Sequence, residues 1–198
     1  ADDGHVIAGA WAGAFAGRGI AGAVTATGTA LIADGDGITA VVGAAGAAML
    51  QIVRRPGLVV IANALALALA AADDELVAEY PFYPQDLSTF TVGVERCRKD
   101  VPTRRGRLAV HYGSFRIDGD GAITVLPGPR PPRFDSFAAY RRHLVDETRA
   151  TFDNAGDPAR RHPLRPLVAL SAGYDSPAAA VIARDAGCRE AITFGEPV

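Results

Sequence analysis

Residues 167–194 of the 198-residue chain read LVALSAGYDSPAAAVIARDAGCREAITF, and this stretch decides the predicted fold. Apolar residues at its two ends indicate short buried strands, a small and polar segment follows the first strand, and the alanine-rich middle is typical of a helix. The connection between the strands is long enough for a parallel crossover. We predict a strand over residues 167–170, a tight loop over 171–176, a helix over 177–186 and a strand over 190–194.

The ends of this predicted helix carry suitable capping residues. Ser176 is a good N-cap, Pro177 fits the first helical position because its missing N–H costs nothing there, and Gly187 suits a left-handed position after the helix. A loop that enters a helix in this way gathers backbone N–H groups at the positive end of the helix dipole. The sequence therefore predicts a place where phosphate oxygens bind.

Residues 170–176, LSAGYDS, resemble the SGGxDS pyrophosphate loop of the ATP pyrophosphatases. The flanks are most similar to the synthetase domain of the asparagine synthetase family, in which an LLS-type strand leads into the loop and a later strand ends in Thr-Phe, here Thr193-Phe194. The resemblance covers about residues 135–196. One departure is Ala172, which stands where the family usually has glycine; if the position requires a positive φ, alanine costs about 1 kcal/mol and distorts the loop.

The resemblance implies a nucleotide site. In the family the loop embraces the β- and γ-phosphates of ATP, and a carboxylate in the loop helps to hold Mg²⁺, a hard cation that prefers oxygen ligands. Carried over to this sequence, the ATP and pyrophosphate ligands are Ser171, Ala172, Gly173, Tyr174, Asp175 and Ser176, with Asp175 also at the magnesium. The backbone around Leu170, Thr193 and Phe194 is implied to flank the adenosine.

The resemblance also implies a reaction. A substrate carboxylate attacks the α-phosphorus of ATP to give an acyl-adenylate and pyrophosphate, and an amine then captures the acyl group, as in an ATP-dependent carbon–nitrogen ligase. The substrate is expected to be a small-molecule or peptide carboxylate, but the sequence specifies neither the acid, the amine, the catalytic residues nor the oligomeric state. Later strands and substrate ligands are expected beyond Val198, so residues 135–198 are interpreted as the start of a synthetase domain. Because Ala1 is not the nucleophilic cysteine of the glutamine-dependent relatives, no glutaminase activity is expected.

Residues 1–127 are predicted to form a β-rich antiparallel domain. Together with the β-loop-α-β unit after residue 135, this gives the chain a mixed fold class, α/β and α+β. A short helix is expected at residues 65–72 and an extended aromatic loop at residues 80–84, whereas the Ala/Gly-rich residues 1–28 receive no structural assignment. Residues 59–63 are weakly similar to core strands of the family's amidotransferase-like domain. Three hairpins are predicted, over residues 29–42, 50–62 and 107–126, with turns at 34–37, 54–57 and 118–121.

A proline-rich segment separates this region from the phosphate-loop segment. Residues 127–132 read PGPRPP, and prolines at this density can neither continue a helix nor complete a strand ladder. We therefore predict a linker over residues 128–134. Asp135 and Ser136 then offer an N-cap to a helix that should run to about Asn154.

Charge argues against nucleic acid as a partner. The 20 basic and 22 acidic residues leave a net charge of −2, so a general polyanion-binding surface is not expected. The arginine-rich residues 96–107 and 160–165 are interpreted as solvated surface. Alternatively, one of the arginines that precede the phosphate loop braces the phosphates; the candidates are Arg160, Arg161 and Arg165.

Neither membrane association nor secretion is predicted. Residues 6–32 are rich in Ala and Gly and contain Arg18, and the apolar residues 58–72 fall short of the roughly 20 that a span requires. No basic region precedes an apolar stretch at the start. Cys97 and Cys188 form no CxxC pair, which indicates neither a zinc site nor a disulfide scaffold, and a cytoplasmic location is expected.

Two short glycine motifs do not indicate ligand sites. Residues 17–22, GRGIAG, match GxGxxG, but too few residues follow before the next strand for the crossover helix of a dinucleotide fold. The two Asp-Gly-Asp-Gly sequences lack the later ligands of a calcium loop and are explained as hairpin turns.

Two other functions stay open. A tRNA-modifying ATP pyrophosphatase has the same phosphate loop, although an amidotransferase-like β domain before it argues against this. The alternative from a different class is a non-catalytic nucleotide-binding or interaction module in which Ala172 marks decay of the loop.

Overall fold

The computed structural model describes residues 4–43, 48–94, 96, 100–130 and 132–193. The chain forms two compact units. The first contains the described residues up to Ala8 and those from Gly28 to Pro127, and the second contains Gly9–Thr27 and the described residues from Gly128 onward. No helix of the described residues is both long and apolar enough to span a bilayer.

The described residues combine antiparallel sheets, four helices and a parallel sheet of two strands. Short 3-10 turns lie at Phe15–Gly17, Gly19–Gly22 and Thr89–Val92. In chain order the elements are β1 (His5–Trp11), β2 (Ala26–Asp34), β3 (Gly37–Val42), β4 (Leu50–Arg55), β5 (Leu58–Ala62), α1 (Leu65–Ala71), α2 (Tyr83–Leu87), β6 (Val101–Pro102), β7 (Arg107–His111), β8 (Phe115–Asp118), β9 (Ile123–Val125), α3 (Phe137–Ala155), β10 (Val168–Leu170), α4 (Asp175–Asp185) and β11 (Ala191–Thr193).

The first unit is built around a sandwich of two sheets with strand orders β1-β2-β3-β8-β9 and β5-β4-β7-β6. Alternation along β4 divides its side chains between two cores, because successive residues of a strand point to opposite faces. Ile52 packs with residues of β3 and β8 in the core between the sheets. Val53 packs with residues of α1 on the other face of the four-stranded sheet. The inter-sheet core comprises Ala40, Val42, Leu50, Ile52, Phe115 and Ile117.

The first two predicted hairpins are confirmed. β2 and β3 pair antiparallel through Asp34 and Gly37, and Gly35 in the turn between them has φ +51°, which glycine adopts without strain. β4 and β5 pair through Arg55 and Leu58 across a Pro-Gly turn. The predicted helix at residues 65–72 is also confirmed, as α1.

The third hairpin is only partly correct. β8 and β9 do pair around the second Asp-Gly-Asp-Gly turn, but the predicted first arm, residues 107–117, is two strands that lie in different sheets. The chain crosses between the sheets over residues 112–114, where the Ser114 hydroxyl accepts a hydrogen bond from the N–H of Val42 (3.1 Å). That contact depends on a residue 72 positions away, which local turn chemistry does not reveal.

The extended aromatic loop predicted at residues 80–84 is partly wrong. α2 begins at Tyr83, because Pro84 lies in the first helical turn, where its missing N–H is not needed. The Tyr83 hydroxyl accepts from the N–H of Val77 and donates to the carbonyl of Pro102, both at 2.7 Å, which holds this helix on the four-stranded sheet.

The second unit contains α3 and the β10-α4-β11 segment. The Ser136 hydroxyl accepts a hydrogen bond from the N–H of Ala139 (3.2 Å), so the predicted N-cap of α3 is confirmed. α3 packs on α4 through Arg141, which forms an ion pair with Asp185. The predicted linker has neither helix nor strand at residues 128–130 and 132–134, and residue 131 lies outside the described residues.

Within the Ala/Gly-rich residues 1–28, which received no assignment from the sequence, the described residues 4–28 contain β1, two 3-10 turns and the beginning of β2. Residues 17–22 lie in these turns, and Arg18 between them has φ +49°. Asn154 at the end of α3 holds part of this segment: its Nδ2 donates to the carbonyl of Gly13 (2.7 Å), and its Oδ1 accepts from the N–H of Trp11 (3.4 Å).

Candidate functional site

The candidate site lies where β10 ends and α4 begins. β10 and β11 pair in parallel, with Leu170 opposite Thr193, so the predicted β-loop-α-β unit is confirmed as a backbone arrangement. The expected burial of the two strands is wrong, because β11 is exposed throughout and β10 is at most half-buried. Two of the residues expected to flank an adenosine are therefore register partners on neighbouring strands. Phe194, the third, lies outside the described residues. The loop leaves the carboxyl end of β10, the edge at which ligands bind in open parallel sheets.

Two serine hydroxyls meet across the loop. The Oγ atoms of Ser171 and Ser176 lie 2.8 Å apart, and the Ser176 Oγ also accepts from the N–H of Ser171 at 2.8 Å. The N–H of Gly173 points to the Ser171 Oγ at 3.4 Å. The segment from Ser171 to Ser176 is thus closed into a ring that presents hydroxyl and amide groups together.

The start of α4 differs from the predicted cap. The helix begins at Asp175, two residues earlier than predicted, and its N-cap Tyr174 makes no side-chain capping bond. Ser176 lies inside the first turn because its hydroxyl is engaged with Ser171. The first turn consequently has no side-chain cap of its own, and Asp175 places a carboxylate at the positive end of the helix dipole.

The other end of α4 follows the prediction. Gly187 has φ +113°, its N–H donates to the carbonyl of Arg184 (3.0 Å), and the N–H of Cys188 donates to the carbonyl of Ala183 (2.9 Å). This pair of bonds is a Schellman motif, which satisfies the last carbonyls of the helix.

Ala172 introduces no backbone strain in this conformation. Among the described residues other than glycine, only Arg18 and Asp73 have a positive φ. Gly173 also lacks a positive φ, and a Cβ placed there would meet only the Ser171 Oγ, at 3.6 Å. The distortion expected from alanine is therefore absent, and the space beside Gly173 is otherwise open.

The loop is open to solvent. Tyr174 is 96% exposed, and the residues from Ser171 to Asp175 are all exposed. Within the described ranges no three His, Cys, Asp or Glu side chains converge to hold a metal ion. A magnesium ion at Asp175 would accordingly take most of its oxygen ligands from phosphate and water, as this cation commonly does.

Arg160, one of the suggested phosphate braces, is engaged elsewhere in the second unit. Its guanidinium carbon lies 4.3 Å from the ring centre of Phe15 and 5.7 Å from that of Trp11, and its Nη1 donates to the carbonyl of Gly9 (2.9 Å). Its Nη2 donates to the side chain of Asn154. Burial lowers the pKa of Arg160, and the charge of Asp157 opposes that shift. This arginine orders the N-terminal segment rather than the loop.

Sequence reasoning treated Arg54 and Arg55 as turn residues and missed their surroundings. With Arg107 and His111 they line a cleft between the two sheets of the first unit. Only the strand register shows this, since Arg54 and Arg107 are paired across β4 and β7 although they lie far apart in the chain.

A comparison with protein-family models finds no match, and a comparison with curated proteins finds none either.

Proposed function

We propose that the chain is the nucleotide-binding part of an ATP-dependent, amide-forming ligase similar to the asparagine synthetases. The observation that carries the proposal is the ring closed by Ser171 and Ser176 between a parallel strand and the start of a helix. Hydroxyl and backbone N–H groups at such a place satisfy phosphate oxygens, and the helix dipole favours their negative charge.

Four residues of the loop have a role in this proposal. The Ser171 and Ser176 hydroxyls exchange their mutual hydrogen bond for bonds to the β- and γ-phosphates, while Gly173 leaves room for the phosphate chain. Asp175 would hold Mg²⁺ through a carboxylate oxygen, and the cation would supply positive charge beside the pyrophosphate. A substrate carboxylate attacks the α-phosphorus, which gives the acyl-adenylate and releases pyrophosphate, with positioning and charge neutralisation supplying most of the rate enhancement.

Radiolabelled pyrophosphate exchange into ATP tests the reaction. Exchange should require Mg²⁺ and a carboxylic acid, supplied as a panel of amino acids and peptides. Asp175→Asn is expected to abolish it, and Ser171→Ala to lower it by about tenfold or more, since a hydrogen bond to a charged group contributes about 1.5–3 kcal/mol. Asp153→Asn, which removes an exposed carboxylate from α3, is the matched control and should leave exchange unchanged.

The outcomes separate the candidate functions. Acid-dependent exchange that Asp175→Asn removes supports the ligase. Exchange that requires tRNA instead of a free acid supports the tRNA-modifying alternative. ATP binding without any exchange supports the non-catalytic module, and exchange that survives in Asp175→Asn contradicts the role given to this carboxylate.

A further inference from the structure

A basic cleft of about 650 Å³ lies in the first unit, away from the phosphate loop in sequence. Its volume is within the range of small-molecule sites, about 300–1,000 Å³. It opens between β4 and β7 of one sheet and β9 of the other. The polar side chains that line it are Arg54, Arg55, Asp100, Arg107 and His111.

The strand register sets two of these arginines directly opposite each other. Arg54 of β4 is paired with Arg107 of β7, and the neighbouring pair on the same face is Ile52 with Ala109. Ile52 and Ala109 belong to the inter-sheet core. The two arginines therefore lie on the face of the four-stranded sheet that packs against the other sheet, at the edge of that core. Like charges directly opposite on neighbouring strands are unfavourable. An anion bound between the two guanidinium groups would replace this repulsion with attraction.

The protein neutralises these charges incompletely. Arg107 donates to Asp100, but both side chains are 59% exposed, so the ion pair is weak and can be exchanged for another anion. Arg54 donates its Nη2 to the carbonyl of Gly121 (3.1 Å), and within the described part of the chain no carboxylate pairs with it. Its Nε is buried without an acceptor. The charge of Arg54 is thus partly removed from water with no counter-charge.

We propose that this cleft binds the phosphate group of a small phosphorylated molecule. A phosphate monoester carries a charge of about −1.5 to −2 at neutral pH, which matches two facing arginines better than a single carboxylate does. Guanidinium groups also bind phosphate oxygens in a bidentate manner. Ala109 and Ile123 offer an apolar wall for the organic part of the ligand. The chain as a whole is slightly acidic, so this basic cleft departs from its average surface.

Titration of the ¹⁵N-labelled chain with inorganic phosphate at constant ionic strength tests the proposal. Backbone amide signals of β4 and β7 should shift and saturate. Arg54→Gln and Arg107→Gln should each weaken the apparent affinity by about tenfold or more, as expected for loss of charge-assisted hydrogen bonds. Arg130→Gln, an exposed arginine outside the cleft, and Ser171→Ala, a change in the phosphate loop, should leave these shifts unchanged.

Arg54→Lys is the second variant, in case Arg54→Gln does not fold. It keeps the positive charge and loses only the planar guanidinium, so it should weaken phosphate binding several-fold. The proposal is overturned if phosphate causes no saturable shifts in β4 and β7, or if the folded Arg54 variants bind as tightly as the parent. Acetate that binds with the same affinity as phosphate also overturns it. Loss of the shifts in Ser171→Ala assigns the binding to the phosphate loop instead, so the two sites are tested separately.

Discussion

Replacing Asn154 with alanine should destabilise the second unit, and the structure sets the scale. The Asn154 side chain is 2% exposed and bonds the Trp11 N–H, the Gly13 carbonyl and the Arg160 guanidinium. In the alanine variant the exposed Gly13 carbonyl can accept a hydrogen bond from water, and Arg160 keeps its bond to Gly9. The main energetic cost is therefore the buried N–H of Trp11, which is left without an acceptor.

An unpaired buried donor costs about 1–3 kcal/mol, and the lost bond to Gly13 adds about 1 kcal/mol. Alanine is a better helix former than asparagine, which offsets about 0.5 kcal/mol of this loss at the end of α3. We therefore expect the free energy of unfolding to fall by about 1.5–3.5 kcal/mol.

Urea unfolding followed by tryptophan fluorescence measures this loss locally. Trp11 is the only tryptophan of the chain and is itself bonded to Asn154, so its emission reports on the second unit. The other asparagine, Asn63, is exposed, and Asn63→Ala is the matched control, expected to change the free energy of unfolding by less than about 0.5 kcal/mol. Equal effects of the two substitutions would refute the role assigned to Asn154.

Three further predictions concern the first unit. Gly106→Ala should lower the free energy of unfolding by about 2 kcal/mol or more, measured by urea unfolding followed by circular dichroism, because its Cβ would overlap the backbone of β4. Gly113 has open space around it, so Gly113→Ala should lower the free energy of unfolding by less than about 1 kcal/mol. Phe115→Ala should lower the free energy of unfolding by about 3–5 kcal/mol in the same assay. A decrease below about 1 kcal/mol would contradict the placement of Phe115 in the inter-sheet core. A hydrogen bond from Arg116 lowers the pKa of Asp34, so ionised Asp34 stabilises the fold above its ordinary pKa and loses this effect as the pH falls through the lowered value. The stability gap between the parent and Arg116→Gln should therefore narrow below about pH 4, and a constant gap would contradict the pairing.

The sequence predicted those parts of the fold whose cause is local. Glycine and aspartate in the turns specify the β2–β3 hairpin, and Ser136 specifies the start of α3. The division of residues 107–117 between two sheets was not predictable in this way, because it depends on a contact between Ser114 and the distant Val42. β1 was missed because its Ala/Gly-rich sequence has little strand signal, although its end, at Trp11, is fully buried.

The candidate site shows the same division. The two strands and the C-terminal cap of α4 follow from residues 167–193 themselves. The N-cap prediction for Ser176 was wrong, because its hydroxyl bonds the backbone N–H and the hydroxyl of Ser171 instead. Arg160 was a reasonable phosphate brace by its position in sequence, but Trp11 and Phe15, about 150 residues earlier, engage it.

A crystal structure of the chain with Mg²⁺ and a non-hydrolysable ATP analogue would show whether the loop binds the triphosphate. We expect β- and γ-phosphate oxygens within hydrogen-bond distance of the Ser171 and Ser176 hydroxyls and of the Gly173 N–H, with the cation beside Asp175. Nucleotide bound elsewhere, with the serine pair still closed on itself at 2.8 Å, would contradict it.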